Sequence, residues 1–312
     1  CALPILLDAD SAYENHRTWS AQQSAAREQQ FDHSTRNRDT DRRLKIGFVS
    51  PDYHAHAVSF FIQSILENLD RNKFDVFCYA NMKVDPDKVT ELIKDLTDHW
   101  REIQDFSDFE AARVIFRDEV DILIDLSGHT RDSRVSLFAY KPAPVQAAYL
   151  GYPGSTGLAE MDYWITDHLI HPEDTPEPSA ETKYRLNRCW CSYSPPRELP
   201  PIAAKPAGAP ITFGVINHIG KHSAAFVDLW GRILDRVPGS RLMVKSVEFR
   251  NTDLRIKVLD RLERQGIDRS RILLLGQTRT HADHLRVYNN IDVCLDPFPY
   301  NGGTSTTDAI AM

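Results

Sequence analysis

The sequence predicts an α/β protein with two doubly wound, Rossmann-like domains that face each other across a cleft. Two observations support this prediction. Short apolar runs alternate with helical patterns along the chain, which is typical of βαβ units and of a parallel sheet covered on both faces. Six prolines between Pro195 and Pro210 interrupt the alternation once, and it then resumes. Because proline lacks an amide donor and breaks both helices and central strands, this stretch predicts the domain boundary.

The first half of the chain has the longer strand patterns. Apolar runs that end in turn residues predict buried strands at residues 44–50, 74–79, 120–126, 145–150 and 163–166. Phe61, Ile65 and Leu69 have helical spacing and predict a helix over residues 58–69.

The residues before the first strand are polar and poorly periodic. Residues 11–29 predict a helix with Trp19 and Ala26 as weak anchors. Residues 31–43 hold four arginines and three aspartates, which predicts a solvated linker.

The same alternation follows the prolines. Strands are expected at residues 211–216, 242–244, 272–275 and 291–295. Helices are expected over residues 226–237, 252–265 and 281–288, and after Gly303. The second of these is expected to end at Gly266.

A chain of 312 residues is longer than a domain with a single hydrophobic core usually is, so two domains are expected. We predict a linker over 1–41, an N-terminal Rossmann-like domain over 42–194, a proline-rich linker over 195–210 and a C-terminal Rossmann-like domain over 211–312. The chain opens at Cys1 and closes at Met312 inside an expected helix, so we expect a fragment with an incomplete second domain.

Composition excludes several classes of protein. The net charge is −7 and no sustained basic stripe is present, which argues against a nucleic-acid partner. No apolar run approaches the roughly 18 residues needed to cross a bilayer, so no membrane partner is expected. Five scattered cysteines predict reduced thiols and a cytoplasmic location.

Two glycines and four hydroxyl residues, residues 302–307, follow the last expected strand and begin a helix. Glycines let the backbone approach a ligand closely, and the first amides of a helix are unpaired donors at its positive end. This stretch therefore predicts a phosphate site. A turn followed by a threonine N-cap is the structural alternative.

Lys221 follows the strand expected at 211–216, at the edge where parallel sheets bind ligands. A cation there is placed to neutralise a departing diphosphate. The alternative is a surface lysine.

Two further motifs follow strands of the first domain. His54 and His56 come after the first strand, where they are placed to flank a substrate. The alternative is that both histidines are structural. His129 lies in Asp-Leu-Ser-Gly-His-Thr after the third strand, where Gly128 allows a sharp turn. We expect His129 to project into the cleft, with a turn glycine and surface neighbours as the alternative.

The Asp-x-Asp pairs that often hold a cation in sugar transfer begin at Asp8, Asp39 and Asp85. None directly ends a central strand, so we expect a reaction without a metal ion or other cofactor.

A series of motifs resembles the protein O-linked N-acetylglucosamine transferase family, including its SPINDLY-type branch. The resemblance runs from about Ser11 to Met312. The matching motifs are residues 45–52 with His56, 125–130, 141–146, 150–153, 156–157, 161–163, 165–167, 213–214 with Asn217 and Lys221, and 292–304.

This resemblance implies a GT-B fold, with the nucleotide sugar held mainly by the second domain and the acceptor by the first. It implies inverting, metal-independent transfer of N-acetylglucosamine from UDP-GlcNAc to Ser or Thr hydroxyls of protein substrates. It also implies tetratricopeptide repeats upstream of the chain.

By motif position, the resemblance assigns roles to particular residues. Lys221, His56 and His129 are the implied catalytic residues. The implied nucleotide-sugar-binding residues are Asn217, His218, His284, Gly302, Gly303, Thr304, Ser305 and Asp308. The implied residues on the acceptor side are Asp52, Pro153 and Thr156.

Two other functions stay open. His129 is more like the SPINDLY branch, some of whose members transfer fucose, so a protein O-fucosyltransferase that uses GDP-fucose is one alternative. A non-catalytic scaffold for protein–protein contacts is the other.

Overall fold

The structure is a computed structural model that describes residues 8–195 and 199–312. The chain divides into two compact units, with the division after Ser194. Unit 1 comprises the residues up to Ser194, and unit 2 comprises the residues from Pro195 onward.

Unit 1 is built on a seven-stranded parallel sheet with the strand order β3-β2-β1-β4-β5-β6-β7. Its elements are α1 (Ala9–Ala21), α2 (Ser24–Arg27), β1 (Leu44–Ser50), α3 (Ala57–Asn68), β2 (Phe74–Ala80), α4 (Lys88–Asp95), β3 (His99–Glu102), α5 (Asp108–Arg117), β4 (Ile122–Asp125), β5 (Val145–Ala148), β6 (Tyr163–Asp167) and β7 (Thr182–Leu186).

Both faces of this sheet are covered, which explains why its central strands are continuous apolar runs. On β1, Phe48 packs into one buried cluster with Ile62 of α3, and Val49 packs into the other with Ile115 of α5. Side chains alternate between the faces of a strand, so a strand buried on both faces needs apolar residues in succession.

Neither β3 nor β7 was expected from the sequence, and both lie at the edges of the sheet. The side chains of β3 and of β7 are all half-buried or exposed. An edge strand has a neighbouring strand on one side only, so its residues are partly exposed to solvent. Polar residues are favourable there, and no continuous apolar run is needed.

The segment 31–43 forms no helix or strand and most of its residues are exposed, as the predicted linker requires, but two contacts fix it to the rest of unit 1. The Phe31 ring stacks on Phe116 at 4.6 Å and on Phe109 at 6.0 Å. The guanidinium of Arg42 forms a bidentate pair with Asp121. Aromatic stacking and this ion pair hold the segment against unit 1.

Unit 2 has a four-stranded parallel sheet with the order β10-β9-β8-β11. Its elements are β8 (Thr212–Val215), α6 (Ala224–Arg236), β9 (Arg241–Lys245), α7 (Thr252–Arg264), β10 (Ile272–Leu275), α8 (His281–Val287), β11 (Val293–Cys294) and α9 (Thr304–Ala311). Phe226 and Trp230 of α6 fill its core with Phe249 and Leu262.

The order of strands reverses in the same way in both units. In unit 1 the chain passes from β1 outward to β3 and then returns to β4 on the other side of β1. In unit 2 it passes from β8 outward to β10 and then returns to β11 on the other side of β8. The crevice at such a reversal, at the carboxyl ends of the strands, is the usual ligand site of open α/β sheets. Within the described residues, no helix is long and apolar enough to span a bilayer.

Candidate functional site

The loop between β11 and α9, residues 295–303, is organised by Asp296. Its carboxylate accepts hydrogen bonds from the Gly302 amide at 3.0 Å, the Thr306 hydroxyl at 3.2 Å and the Asn301 side chain at 3.2 Å. A Cβ on Gly302 would lie 2.7 Å from this carboxylate, and it would also collide with the Thr306 hydroxyl. Only glycine allows the loop to close this tightly.

The N-terminus of α9 carries no side-chain cap within the part of the chain that the structure describes. Gly303 is its N-cap residue, so the threonine cap that was the structural alternative does not form. Other helices are capped by side chains, such as Ser107 on α5 and Ser223 on α6. The space around a Cβ on Gly303 is open to beyond 4 Å. The first amides of α9 are therefore uncovered donors at the positive end of a helix.

Lys221 reaches this loop from the turn after β8. Its ammonium donates a hydrogen bond to the Asn301 carbonyl at 2.8 Å and lies 4.4 Å from the centre of the Tyr300 ring. Burial lowers the pKa of Lys221, and the nearby carboxylate of Asp296 acts in the opposite direction. The lysine is therefore a partly desolvated cation beside the uncapped helix, and not the surface lysine of the alternative.

Asn217 and His218 lie in the same turn after β8. The buried Asn217 amide donates to the Ser305 hydroxyl at 2.8 Å, which joins the β8 turn to α9. The His218 ring pairs with Glu248 at 2.6 Å through Nε2 and accepts the Gly220 amide at 3.0 Å through Nδ1. The side chain of His218 is still 57% exposed, so one face is accessible.

A second cluster joins α8, α9 and the end of β9. His284 Nδ1 lies 2.7 Å from the Lys245 ammonium, and His284 Nε2 lies 3.5 Å from the buried carboxylate of Asp308. His281 lies 3.7 Å from the same carboxylate. Burial lowers the pKa of Lys245, an effect that Asp308 opposes.

Sequence reasoning missed Lys245 and His281 as members of this cluster. The available signal was position: Lys245 ends β9, and the strand next to it, β8, is followed by Lys221. Residues that follow adjacent parallel strands share one edge of the sheet.

In unit 1, His56 and Asp52 follow β1. His56 caps α3 by accepting the Val58 amide at Nδ1, and this nitrogen lies 3.6 Å from Asp52. Burial lowers the pKa of His56. Burial also raises the pKa of Asp52 to about 6, against the effect of His54. The His56 ring is therefore neutral at neutral pH, and with Nδ1 accepting the Val58 amide the ring proton is on Nε2.

His129 does not project outward as expected. It is 6% exposed, stacks on His16 of α1 at 4.1 Å, and its Nε2 lies 2.8 Å from the Thr156 carbonyl. Trp19 and Tyr152 pack edge-on against the same ring. These four aromatic residues, called here the His16–His129 cluster, dock α1 on unit 1. The packing around its ring and its hydrogen bond favour the structural alternative for His129 over projection into a cleft.

The predicted acceptor-side residues differ in exposure. Pro153 is exposed, as such a role requires. Thr156 is fully buried, and both its amide and its hydroxyl are hydrogen-bonded to Glu181. The amide and hydroxyl of Thr156 are therefore already used within unit 1, and its acceptor-side role stays a prediction.

Asp125, at the end of β4, was not singled out from its motif. It is 1% exposed, and burial raises its pKa to about 7. One carboxylate oxygen accepts the Gly128 amide, and the other has no hydrogen-bond partner within the described residues. Gly128 has φ +50°, and a Cβ there would lie 2.7 Å from the Tyr152 ring. Within the described residues, no group of three His, Cys, Asp or Glu side chains has a metal-holding arrangement.

Comparison with known proteins identifies the family. Residues 18–187, more than half of the chain, match the sequence profile of glycosyl transferase family 41. The chain belongs to this family. It is 35% identical over 309 residues to the probable UDP-N-acetylglucosamine–peptide N-acetylglucosaminyltransferase SPINDLY of Arabidopsis thaliana. The aligned region covers 97% of this chain and 34% of that protein. The similarly described SEC protein of the same plant is 29% identical over 279 residues, 86% of this chain and 28% of that protein.

Solved structures support the fold. A mutant of the Thermobaculum terrenum O-GlcNAc transferase is 32% identical with a TM-score of 0.91, over 98% of this chain and 58% of that one. The apo lipopolysaccharide galactosyltransferase WaaB is 13% identical with a TM-score of 0.50, over 80% of this chain and 73% of that one, and shows the fold alone. The predicted family and the predicted α/β, GT-B fold class are confirmed. The chain spans about a third of the length of its curated SPINDLY relatives.

Proposed function

We propose that this chain belongs to a protein O-GlcNAc transferase, which moves N-acetylglucosamine from UDP-GlcNAc to Ser or Thr hydroxyls of proteins. One observation supports this most directly: the Lys221 ammonium lies against the loop that precedes an uncapped helix. The free amides of a helix N-terminus bind phosphate oxygens, and an adjacent ammonium adds positive charge for the departing diphosphate. The names of the SPINDLY and SEC relatives supply the sugar and the peptide acceptor.

In this proposal the acceptor oxygen attacks the anomeric carbon as the bond from that carbon to the diphosphate oxygen breaks, with inversion. Negative charge grows on the departing UDP, and Lys221 with the amides of Thr304 and Ser305 stabilises it. These groups give the charge balance that a metal ion supplies in other transferases, so the proposed reaction is metal-independent.

The acceptor hydroxyl must also lose its proton. We assign this proton to His56, because its pKa is lowered by burial and the ring is neutral at neutral pH. The step uses the tautomer whose Nδ1–H faces Asp52 in place of the contact with the Val58 amide, so that Nε2 accepts the proton. Asp52, 3.6 Å from the other ring nitrogen, then stabilises the imidazolium that forms.

The remaining predicted residues hold the donor or the acceptor. Asn217 orients Ser305 through its hydrogen bond, and Gly302 and Gly303 give the diphosphate access to the helix amides. His218, His284 and Asp308 serve the nucleoside, and Pro153 serves the acceptor. Four described cysteines, Cys78, Cys189, Cys191 and Cys294, are free thiols, which supports a cytoplasmic location.

The test is Lys221→Met in the full-length protein. We expect the rate of transfer to fall by about 10²–10³-fold, since one charge-stabilising group is lost, while the melting temperature stays unchanged. Lys257→Met, which removes an exposed lysine from α7, is the matched control and should leave transfer intact. Full transfer activity of Lys221→Met would overturn the role assigned to Lys221. Absence of both transfer and nucleotide binding in the unmodified full-length protein would favour the scaffold.

The donor is tested separately by calorimetric titration with UDP-GlcNAc and with GDP-fucose. Preferential binding of UDP-GlcNAc supports the proposal. Preferential binding of GDP-fucose would replace it with protein O-fucosyl transfer on the same fold.

A further inference from the structure

The Lys221 ammonium lies over an aromatic ring. The centre of the Tyr300 ring is 4.4 Å from Nζ, and the carbonyl of the next residue, Asn301, accepts a hydrogen bond from Nζ at 2.8 Å. The face of an aromatic ring attracts a cation through its quadrupole, most strongly where water is excluded. Both groups that hold the ammonium therefore belong to the loop before α9.

The carboxylate of this loop, Asp296, is already hydrogen-bonded to other groups. The carboxylate oxygens of Asp296 accept hydrogen bonds from Asn301, Gly302 and Thr306. None of the ion pairs in the described residues joins Asp296 to Lys221, although the carboxylate raises the pKa of Lys221 from a distance. The ring of Tyr300 is the electron-rich side chain that lies directly against the ammonium.

We propose that Tyr300 is a positioning residue that holds the Lys221 ammonium beside the uncapped N-terminus of α9. This inference rests on the proposed function, in which Lys221 neutralises the departing diphosphate. A ring face attracts the charge without accepting a conventional hydrogen bond. The N–H groups that Asn301 does not use therefore stay available for phosphate oxygens. A carboxylate in the same position would compete with the phosphate for these protons.

The ring, and not its hydroxyl group, is the important part. Burial raises the pKa of Tyr300 to about 12, so the phenol is neutral at physiological pH and contributes no negative charge. Phenylalanine has the same ring face and should replace tyrosine in this role, whereas leucine fills similar space without a quadrupole.

The experiment compares Tyr300→Phe and Tyr300→Leu in the full-length protein, each alone and combined with Lys221→Met. Affinity for UDP is measured by calorimetry, and kcat/KM is measured for sugar transfer. We expect Tyr300→Phe to stay within about twofold of the unmodified protein, and Tyr300→Leu to lose about tenfold in both quantities. In the Lys221→Met background, Tyr300→Leu should cause no further loss of UDP affinity, because the ring acts through the ammonium.

Phe298→Leu is the matched control. It removes an aromatic ring from the same loop, but this ring packs edge-on against Phe226 at 5.7 Å. UDP affinity should be unchanged in this variant. The inference is overturned if Tyr300→Leu binds UDP normally, if Tyr300→Phe is as weak as Tyr300→Leu, or if the loss persists without Lys221.

The two proposals can fail separately. Should the unmodified protein bind UDP but transfer no sugar, the proposed function falls, while the UDP affinities of the Tyr300 variants still decide this inference. Should it bind no nucleotide, both are overturned.

Discussion

The first four strands of each unit follow the same order, but the loops at the two strand reversals are used differently. After β4 of unit 1, the loop is covered by other segments of the same unit: His129 is hydrogen-bonded to Thr156 and stacked on His16, and Thr156 is hydrogen-bonded to Glu181. After β11 of unit 2, the loop leaves the N-terminus of α9 uncapped and holds a lysine beside it.

This difference shows that the position of a residue on a favourable sheet edge does not make it available to a ligand. A polar group serves a substrate when the fold has not already satisfied it. The histidine of the β4 loop is used to dock α1, whereas the amides of α9 have no side-chain partner in the described residues.

The comparison is tested most strongly by His129→Ala. We expect a loss of roughly 3 kcal/mol in the free energy of unfolding, because a buried ring and its hydrogen bond are removed. UDP affinity should not change, since unit 2 supplies the proposed nucleotide site. Urea unfolding and calorimetry measure the two quantities.

His168→Ala is the control for this variant, because the His168 side chain is 52% exposed on the same unit. Loss of transfer in His129→Ala with normal stability would restore a catalytic role for His129, and the contrast between the loops would be lost.

Two adjacent glycines sharpen the comparison within unit 2. Gly302→Ala should lower the free energy of unfolding by about 2 kcal/mol, because the new methyl group collides with Asp296 and Thr306. Gly303→Ala meets open space and should change it by less than about 0.5 kcal/mol. Thermal unfolding of both variants measures the difference. Equal destabilisation would mean that Gly303 is as enclosed as Gly302, and the α9 terminus would not be open.

The smallest expected effect is a dependence on pH in unit 1. Burial, with the neighbouring His129, lowers the pKa of His16 to about 4. The unfolded chain therefore binds more protons than the folded one between pH 6.5 and 4, so stability is present above this window and falls as pH falls through it. By pH 5.5 the loss should be about 1 kcal/mol.

Hydrogen exchange of the α1 amides at pH 7 and pH 5 locates this effect. Faster exchange in Ala9–Ala21 at pH 5, reduced in His16→Gln, is the expected result. Exchange that is insensitive to both pH and the substitution would show that the His16–His129 cluster does not hold α1.

Much of the fold was predictable because the spacing of apolar residues along a segment reflects which of its faces are buried. The runs at β1 and β2 are apolar in succession because both faces of the sheet are covered. Lys221 and the Gly302–Gly303 pair were found because each follows a strand of a parallel sheet. The edge strands β3 and β7 were missed because half-exposed strands need no apolar run.

The sequence by itself determined the family, the alternation of strands and helices, and which residues follow the strands. Only the tertiary structure decided which of those residues are already engaged in packing and hydrogen bonds within the protein. His16 and Tyr152 meet across 136 positions of sequence, and Lys221 and Asn301 meet across 80. Local periodicity carries no information about such pairs, because burial and hydrogen bonding are settled by neighbours that packing brings together.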